Sequence, residues 1–239
     1  MLKADHLTKK FGELVAVNDL NFHVKAGQIF GIAGPNGAGK STIYNLITGM
    51  YDYEGCITFD GRKVTGMASH KIARMGIART FQTPRTFPSL TVEKSIAVGS
   101  RFASGKGFDL GHVNDIIRFM DLTAVKKSKT GELSLLDKKK LMMAAALAGC
   151  PKLLMLDEPM AGSNAGEIRE LMNLIKRVNK EMGISILIIE HFMKVLTELT
   201  DHLLIIESGA AICEGRPEEA IRHPEVIECY LGESYAECG

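Results

Sequence analysis

Residues 34 to 42 read GPNGAGKST and fill the pattern G-x-x-x-x-G-K-[ST] with Gly34, Gly39, Lys40 and Ser41. These residue types at this spacing suit the gripping of a phosphate chain. Glycines at 34, 37 and 39 let the backbone curl until several N–H groups converge on phosphate oxygens. Lys40 adds a full positive charge for the β- and γ-phosphates, and the Ser41 hydroxyl is a ligand for Mg²⁺. Gly34, Asn36, Gly37, Ala38, Gly39, Lys40, Ser41 and Thr42 are therefore the expected nucleotide-binding stretch, and ATP with Mg²⁺ the expected ligand.

A second chemical group lies far downstream. Residues 153 to 158 read LLMLDE, an apolar strand closing on two carboxylates. Hydrolysis of a nucleoside triphosphate needs one acidic group at the metal and one to orient the attacking water. Asp157 fits the first role, and Glu158 fits the second as general base.

Elements must place these groups. Leu20, Phe22 and Val24 alternate with polar neighbours, as in a half-buried strand. Gln28 to Ala33 is a short apolar run entering the glycine-rich turn. A helix with Ile43, Leu46, Ile47 and Met50 on one face follows, stopped near Gly49. Ile57 to Asp60 reads as a strand with a turn at Gly61. From about Leu90 to Gly149 the periodicity is helical, with a loop at Ser104, Gly105, Gly107 and Gly111. After Pro151 the order is strand (Leu153 to Leu156), helix (about Gly166 to Met182), strand (Ile184 to Ile189), helix (Met193 to Leu199) and strand (Leu203 to Glu207). This alternation predicts a parallel sheet. Ala210 to Cys213 reads as an edge strand, and a last helix starts near Pro217 and runs, with breaks, to Leu231.

Composition narrows the class. At 239 residues the chain has the length for one large domain or one domain with an insertion. A net charge of +1 supplies no basic field for nucleic acid. The polar opening MLKADHLTKKFG lacks the apolar core of a secretory signal, and no apolar run approaches the roughly 18 residues of a spanning helix. Membrane work would therefore go through a partner. Five cysteines, an odd number without a CxxC pair, point to free thiols rather than zinc or disulfides.

The two motifs, separated by a helical insertion, make nearly the whole chain resemble the nucleotide-binding subunits of ABC transporters. IARMGIARTFQTPRTFPSLTVEKSI, LDEPMAGSN, IIEHFMK and HPEVIECYLGE, including Tyr230 to Glu233, look like the ATPases of branched-chain amino acid importers. The resemblance implies an α/β fold: a P-loop NTPase (RecA-like) core with an N-terminal antiparallel β subdomain and an inserted α-helical subdomain. It places core and β subdomain at about 1–88 and 151–239, and the helical subdomain at about 89–150. It further implies that Phe11 stacks on adenine and that Gln82 senses Mg²⁺ and links to the membrane partner. His191 would be the switch histidine at the γ-phosphate, and Ser134 the signature serine. The implied catalytic set is then Glu158, His191 and Gln82, and the metal set Ser41, Gln82 and Asp157. From the residues alone, Phe11 reads equally as a core phenylalanine at a strand end, and His191 as a hydrogen-bonded strand terminus. The implied partners are transmembrane permease subunits and a second ATP-binding subunit, on the inner face of the cell membrane.

Two segments depart from the family pattern. LSGGQ is replaced by LSLLD at 133–137, and AGLNP by AGSNA at 161–165. Ser134 and Asp137 form an [ST]-x-x-[DE] box that still starts a helix. Leu135 and Leu136, however, put side chains where backbone should approach phosphate, and they disfavour φ > 0. Lys138 to Lys140 read as family-type basic residues or as a solvated helix face. A homodimer would repeat the LSLLD departure at both sites, so a heterodimer with a partner carrying LSGGQ is preferred. Alternative readings are a weakly hydrolysing regulatory partner and a soluble, non-transport ABC ATPase.

Overall fold

The computed structural model describes residues 1–103 and 110–229. Ser104, Gly105, Gly107, the segment Tyr230 to Glu233 and Cys238 lie outside the described residues. The chain divides into two compact units, 1–69 with 185–239 and 70–184.

In the first unit, β1 (Leu2–Phe11) pairs antiparallel with β2 (Leu14–Val24) and β4 (Glu54–Phe59), and β5 (Arg62–Lys63) joins β4. Leu20, Phe22 and Val24 point inward from β2, as their period-2 spacing requires. Beside this lies a parallel set. β3 (Ile29–Ala33) is flanked by β8 (Ser185–Ile189) and β9 (His202–Glu207), and β10 (Ala210–Gly215) adds antiparallel to β9. β3 and β8 are buried throughout, which is why they read as continuous apolar runs rather than alternating ones.

Helix α1 (Lys40–Ile47) follows the loop after β3, and the buried Tyr44 hydroxyl donates to Leu187 O of β8 at 2.5 Å. Met50 is not on its face. The helix ends at Ile47, Gly49 turns left-handed (φ +67), and Met50 is 54% exposed. Helices α7 (Met193–Leu199) and α8 (Pro217–Ala220), the latter opening on proline, complete this unit together with a helical stretch at 224–229.

In the second unit, α2 (Ser69–Arg74) leads to β6 (Ile77–Arg79), which pairs parallel with β7 (Leu153–Asp157). Between these strands lie α3 (Val92–Ala103), α4 (Leu110–Phe119) and α5 (Leu135–Leu147), with α3 packed on both others. Gly99 makes the α3–α5 contact close, because a Cβ there would lie 2.1 Å from Ala145 O. Gly111 belongs to α4 rather than to a loop: it is the exposed second residue of a helix whose buried face is formed by Val113, Ile116 and Ile117. Helix α6 (Ala165–Met182) follows β7. It opens with a full capping box from Asn164 and Glu167 and stops at left-handed Gly183.

Among the described residues no helix is long and apolar enough to cross a membrane. Cys56, Cys150, Cys213 and Cys229 form no disulfide with one another.

Candidate active site

The glycine-rich loop is held open from behind. A Cβ on Gly34 would lie 2.1 Å from Ile206 O, and one on Gly39 would lie 2.3 Å from Ala16 O. Gly37, by contrast, has φ +81 and nothing within 4 Å of its Cβ position, so bare backbone faces open space there. The Gly209 amide donates to Ala38 O at 3.0 Å, tying the loop to the β9–β10 turn. Lys40 is 6% exposed, and its ammonium donates to Gly34 O (2.6 Å) and Pro35 O (2.8 Å), as a buried charge must. Gly39 sits before α1 with φ +103, so the first amides of α1 are available to an anion alongside Lys40. Asn36, Gly37 and Ser41 are exposed, Thr42 is half-buried and Ala38 is buried. The loop thus fits a phosphate chain.

Phe11 is no core residue. It ends β1 at 42% exposure and meets Tyr51 edge-on, with ring centroids 5.3 Å apart. The Lys9 ammonium lies 5.0 Å from the Phe11 ring centre and 5.7 Å from that of Tyr51. Tyr51, 40 residues along the chain, gives no sign of this pairing in the sequence. His191 follows β8 by two residues. Its backbone N–H donates to the fully buried Glu190 carboxylate at 3.3 Å, its ring lies 4.2 Å from Phe192, and its side chain is 45% exposed.

The second unit carries the carboxylates. Asp157 ends β7 with its side chain 7% exposed, and Oδ2 accepts from Arg79 Nη2 at 2.8 Å. Arg79 ends β6, in register with Met155 of β7, and its guanidinium lies 5.1 Å from the Phe81 ring centre. Glu158 lies just past the strand in a left-handed conformation (φ +45), and its Oε2 accepts from Gln82 Nε2 at 2.6 Å. The end of β6 thus delivers Arg79 to the first carboxylate, and the segment leaving it delivers Gln82 to the second. Gln82 and Glu158 were expected to share the chemistry, and here they touch. Arg79 was not among the expected residues, and the ARTFQ stretch signalled it only by proximity to Gln82.

Ser134 caps α5. The Asp137 amide donates to Ser134 Oγ at 3.0 Å, while the Ser134 hydroxyl donates to Asp137 Oδ2 at 2.7 Å, so the return arm runs between side chains. Leu135 and Leu136 are the first two residues of α5 and neither has positive φ, so LSLLD is accommodated without backbone strain. The run Lys138 to Lys140 is not simply a solvated face: Lys139 and Lys140 are 3% and 5% exposed. Lys140 pairs with Glu170, and Lys139 bonds the loop after Glu158.

A family model described as ABC transporter matches residues 17–161, and the chain belongs to this family as one of its ATP-binding, ATP-hydrolysing cassettes. A second model, described as branched-chain amino acid ATP-binding cassette transporter, matches residues 212–236. The chain is 35% identical to the high-affinity branched-chain amino acid transport ATP-binding protein BraF of Pseudomonas aeruginosa, covering 98% of each chain. It is 33% identical to the corresponding protein LivG of Salmonella typhimurium, again over 98% of each. Among solved structures, it superposes on the ADP conformation of an ABC transporter ATP-binding cassette with TM-score 0.88 and 32% identity, covering 97% of this chain and 98% of the other. A nucleotide-free cassette matches with TM-score 0.86 and 30% identity, covering 96% and 98%. The α/β P-loop NTPase fold with an antiparallel β subdomain is thereby shown.

Proposed function

We propose that this chain is the motor subunit of an importer that takes up branched-chain or other hydrophobic amino acids. It would lie peripherally on the inner face of the cell membrane, bound to transmembrane permease subunits. The observation that carries this reading is the near-full-length similarity to branched-chain amino acid transport ATP-binding proteins, extended by the match at residues 212–236.

In this reading the triphosphate of ATP lies along Gly34 to Thr42, where backbone amides and the Lys40 ammonium meet its charge. Lys40 exchanges its bonds to Gly34 O and Pro35 O for phosphate oxygens. Phe11 offers its exposed face to adenine. Ser41, Gln82 and Asp157 are the residues that would hold Mg²⁺, which when bound offsets charge on the β- and γ-phosphates. Glu158 orients the attacking water and takes its proton, and Gln82 holds the Glu158 carboxylate by the 2.6 Å bond. His191, carried on a backbone tied to Glu190, responds to the γ-phosphate. Ser134 at the start of α5 serves the nucleotide of a second subunit.

The permease has a candidate seat within the second unit. A groove of about 270 Å³ is lined by Arg79, Arg85, Phe87, Leu141 and Met142 among others, and Phe81 and Phe87 on it are 46% and 59% exposed. Exposed aromatics with flanking arginine suit an amphipathic segment of a partner.

The second subunit is proposed to be a different chain carrying LSGGQ, because LSLLD is altered while Lys40, Glu158 and His191 are in place. A weakly hydrolysing regulatory role is the alternative that LSLLD favours. Reconstitution with the co-purifying permease in vesicles tests the reading. ATP-driven uptake of leucine, isoleucine or valine is expected. Active ATPase with no such uptake would refute the cargo, and a fully active homodimer would refute the heterodimer.

A further inference from the structure

We propose that Lys139 is a positioning residue for Glu158, acting through the turn at 159–163, with Leu135 as its apolar companion. The inference rests on the reading of Glu158 as the base. Leu135 and Lys139 stand four residues apart on α5 and therefore share one face. That face covers the turn after Glu158. Leu135 Cδ2 lies 3.4 Å from the Cβ position of Gly162. The Lys139 ammonium donates to Ala161 O at 2.5 Å and to Ser163 Oγ at 2.7 Å.

The charge of a lysine that is 3% exposed is costly to bury unless its hydrogen bonds are made, so these two acceptors are held in place relative to α5. The turn transmits that constraint. The Ala161 amide donates to Glu158 O at 3.2 Å, the Ser163 amide donates to Met160 O at 3.0 Å, and Gly162 supplies φ +71. Glu158 itself has φ +45, a conformation that a residue with a Cβ keeps only when its surroundings impose it. Lys139 also lies near Gln82, the hydrogen-bond partner of the base. Together with Gln82 and Pro159 it lines a void of about 10 Å³, room for about one water centre.

The two departures from the family pattern meet here. Leu135 belongs to LSLLD and lies against Gly162, while Ser163 belongs to AGSNA and accepts from Lys139. The helix whose first residue follows Ser134 and the loop that carries Glu158 are thereby fastened together within the second unit.

The test is steady-state ATP hydrolysis by the full chain, with its permease where that co-purifies. Lys139→Met is expected to lower kcat roughly ten- to a hundred-fold, since misplacement by about 1 Å costs up to ~10²-fold. KM for ATP should change little, because the turn does not carry the phosphate cradle. Lys139→Arg should restore part of kcat. Ser163→Ala should give a smaller kcat loss, and the double variant Lys139→Met/Ser163→Ala should be no worse than Lys139→Met alone. An unchanged kcat in Lys139→Met, or equal losses in kcat and ATP affinity, overturns the proposal. If Lys139→Met does not fold, Ser163→Ala decides: a kcat loss at unchanged KM supports the proposal and an unaltered kcat overturns it. Glu158→Gln run alongside separates the two levels. Brisk turnover by that variant refutes the base itself, whereas an inert Glu158→Gln beside a fully active Lys139→Met refutes only the positioning role.

Discussion

Replacing Arg79 by methionine should destabilise the protein more than any surface charge change. Arg79 and Asp157 are 10% and 7% exposed, and their 2.8 Å contact joins the ends of two paired strands. Methionine keeps the apolar stem and removes the charge, leaving the carboxylate at the end of a fully buried strand. Breaking a buried pair from one side costs about 3–5 kcal/mol, because the remaining charge is neither solvated nor matched. At about 2–4 °C per kcal/mol for a chain of this size, the melting temperature should fall by roughly 6–20 °C. Replacing both partners, as Arg79→Met/Asp157→Asn, removes the stranded charge and should recover most of the loss. Thermal unfolding followed by circular dichroism in the presence of a chelator reads both effects. A loss below about 1 kcal/mol for the single variant would mean a solvent-screened pair and would refute the reasoning. So would a double variant as unstable as the sum of the two singles.

Four other outcomes are expected. Lys40→Ala should weaken ATP binding in calorimetry by about ten- to 150-fold, the equivalent of one charged hydrogen bond at about 1.5–3 kcal/mol. Glu158→Gln should still bind ATP while its single-turnover hydrolysis falls by roughly 10²–10⁴-fold. Phe11→Ala should raise the ATP dissociation constant about two- to twelve-fold, from about 0.5–1.5 kcal/mol of stacking, and should affect GTP similarly. Hydrogen bonds from Lys127 and then Lys126 hold the Glu93 carboxyl below its usual range, so its stabilising effect is complete above the ordinary glutamate range. That effect is lost as pH falls through the depressed folded-state value. Glu93→Gln should therefore melt below the parent at neutral pH and converge with it in acid, and a pH-independent gap would count against the ion-pair origin.

The legible parts of the candidate site were those built from consecutive residues. The cradle is nine residues whose glycines, lysine and hydroxyl express their geometry locally, and the buried strands announced themselves as short apolar runs. Gln82 and His191 carried no such signal of their own and rested on resemblance. Lys139 was obscured by its neighbours: three lysines in a row look solvated, and only the arrival of the loop at 161–163 buries one of them. Met50 and Gly111 were misplaced at element ends: a left-handed turn at Gly49 precedes Met50, and α4 starts one residue before Gly111.

What the amino-acid order determined alone is the local groups: a glycine-rich turn with a lysine and a hydroxyl, a pair of carboxylates at a strand end, and the alternation that makes a parallel sheet. What only the tertiary structure decided is which group meets which. Arg79 reaches Asp157 across 78 residues, Gln82 reaches Glu158 across 76, and Phe11 meets Tyr51 across 40. Such contacts depend on strand register and helix packing, which bring distant residues together and leave no periodic trace in the chain.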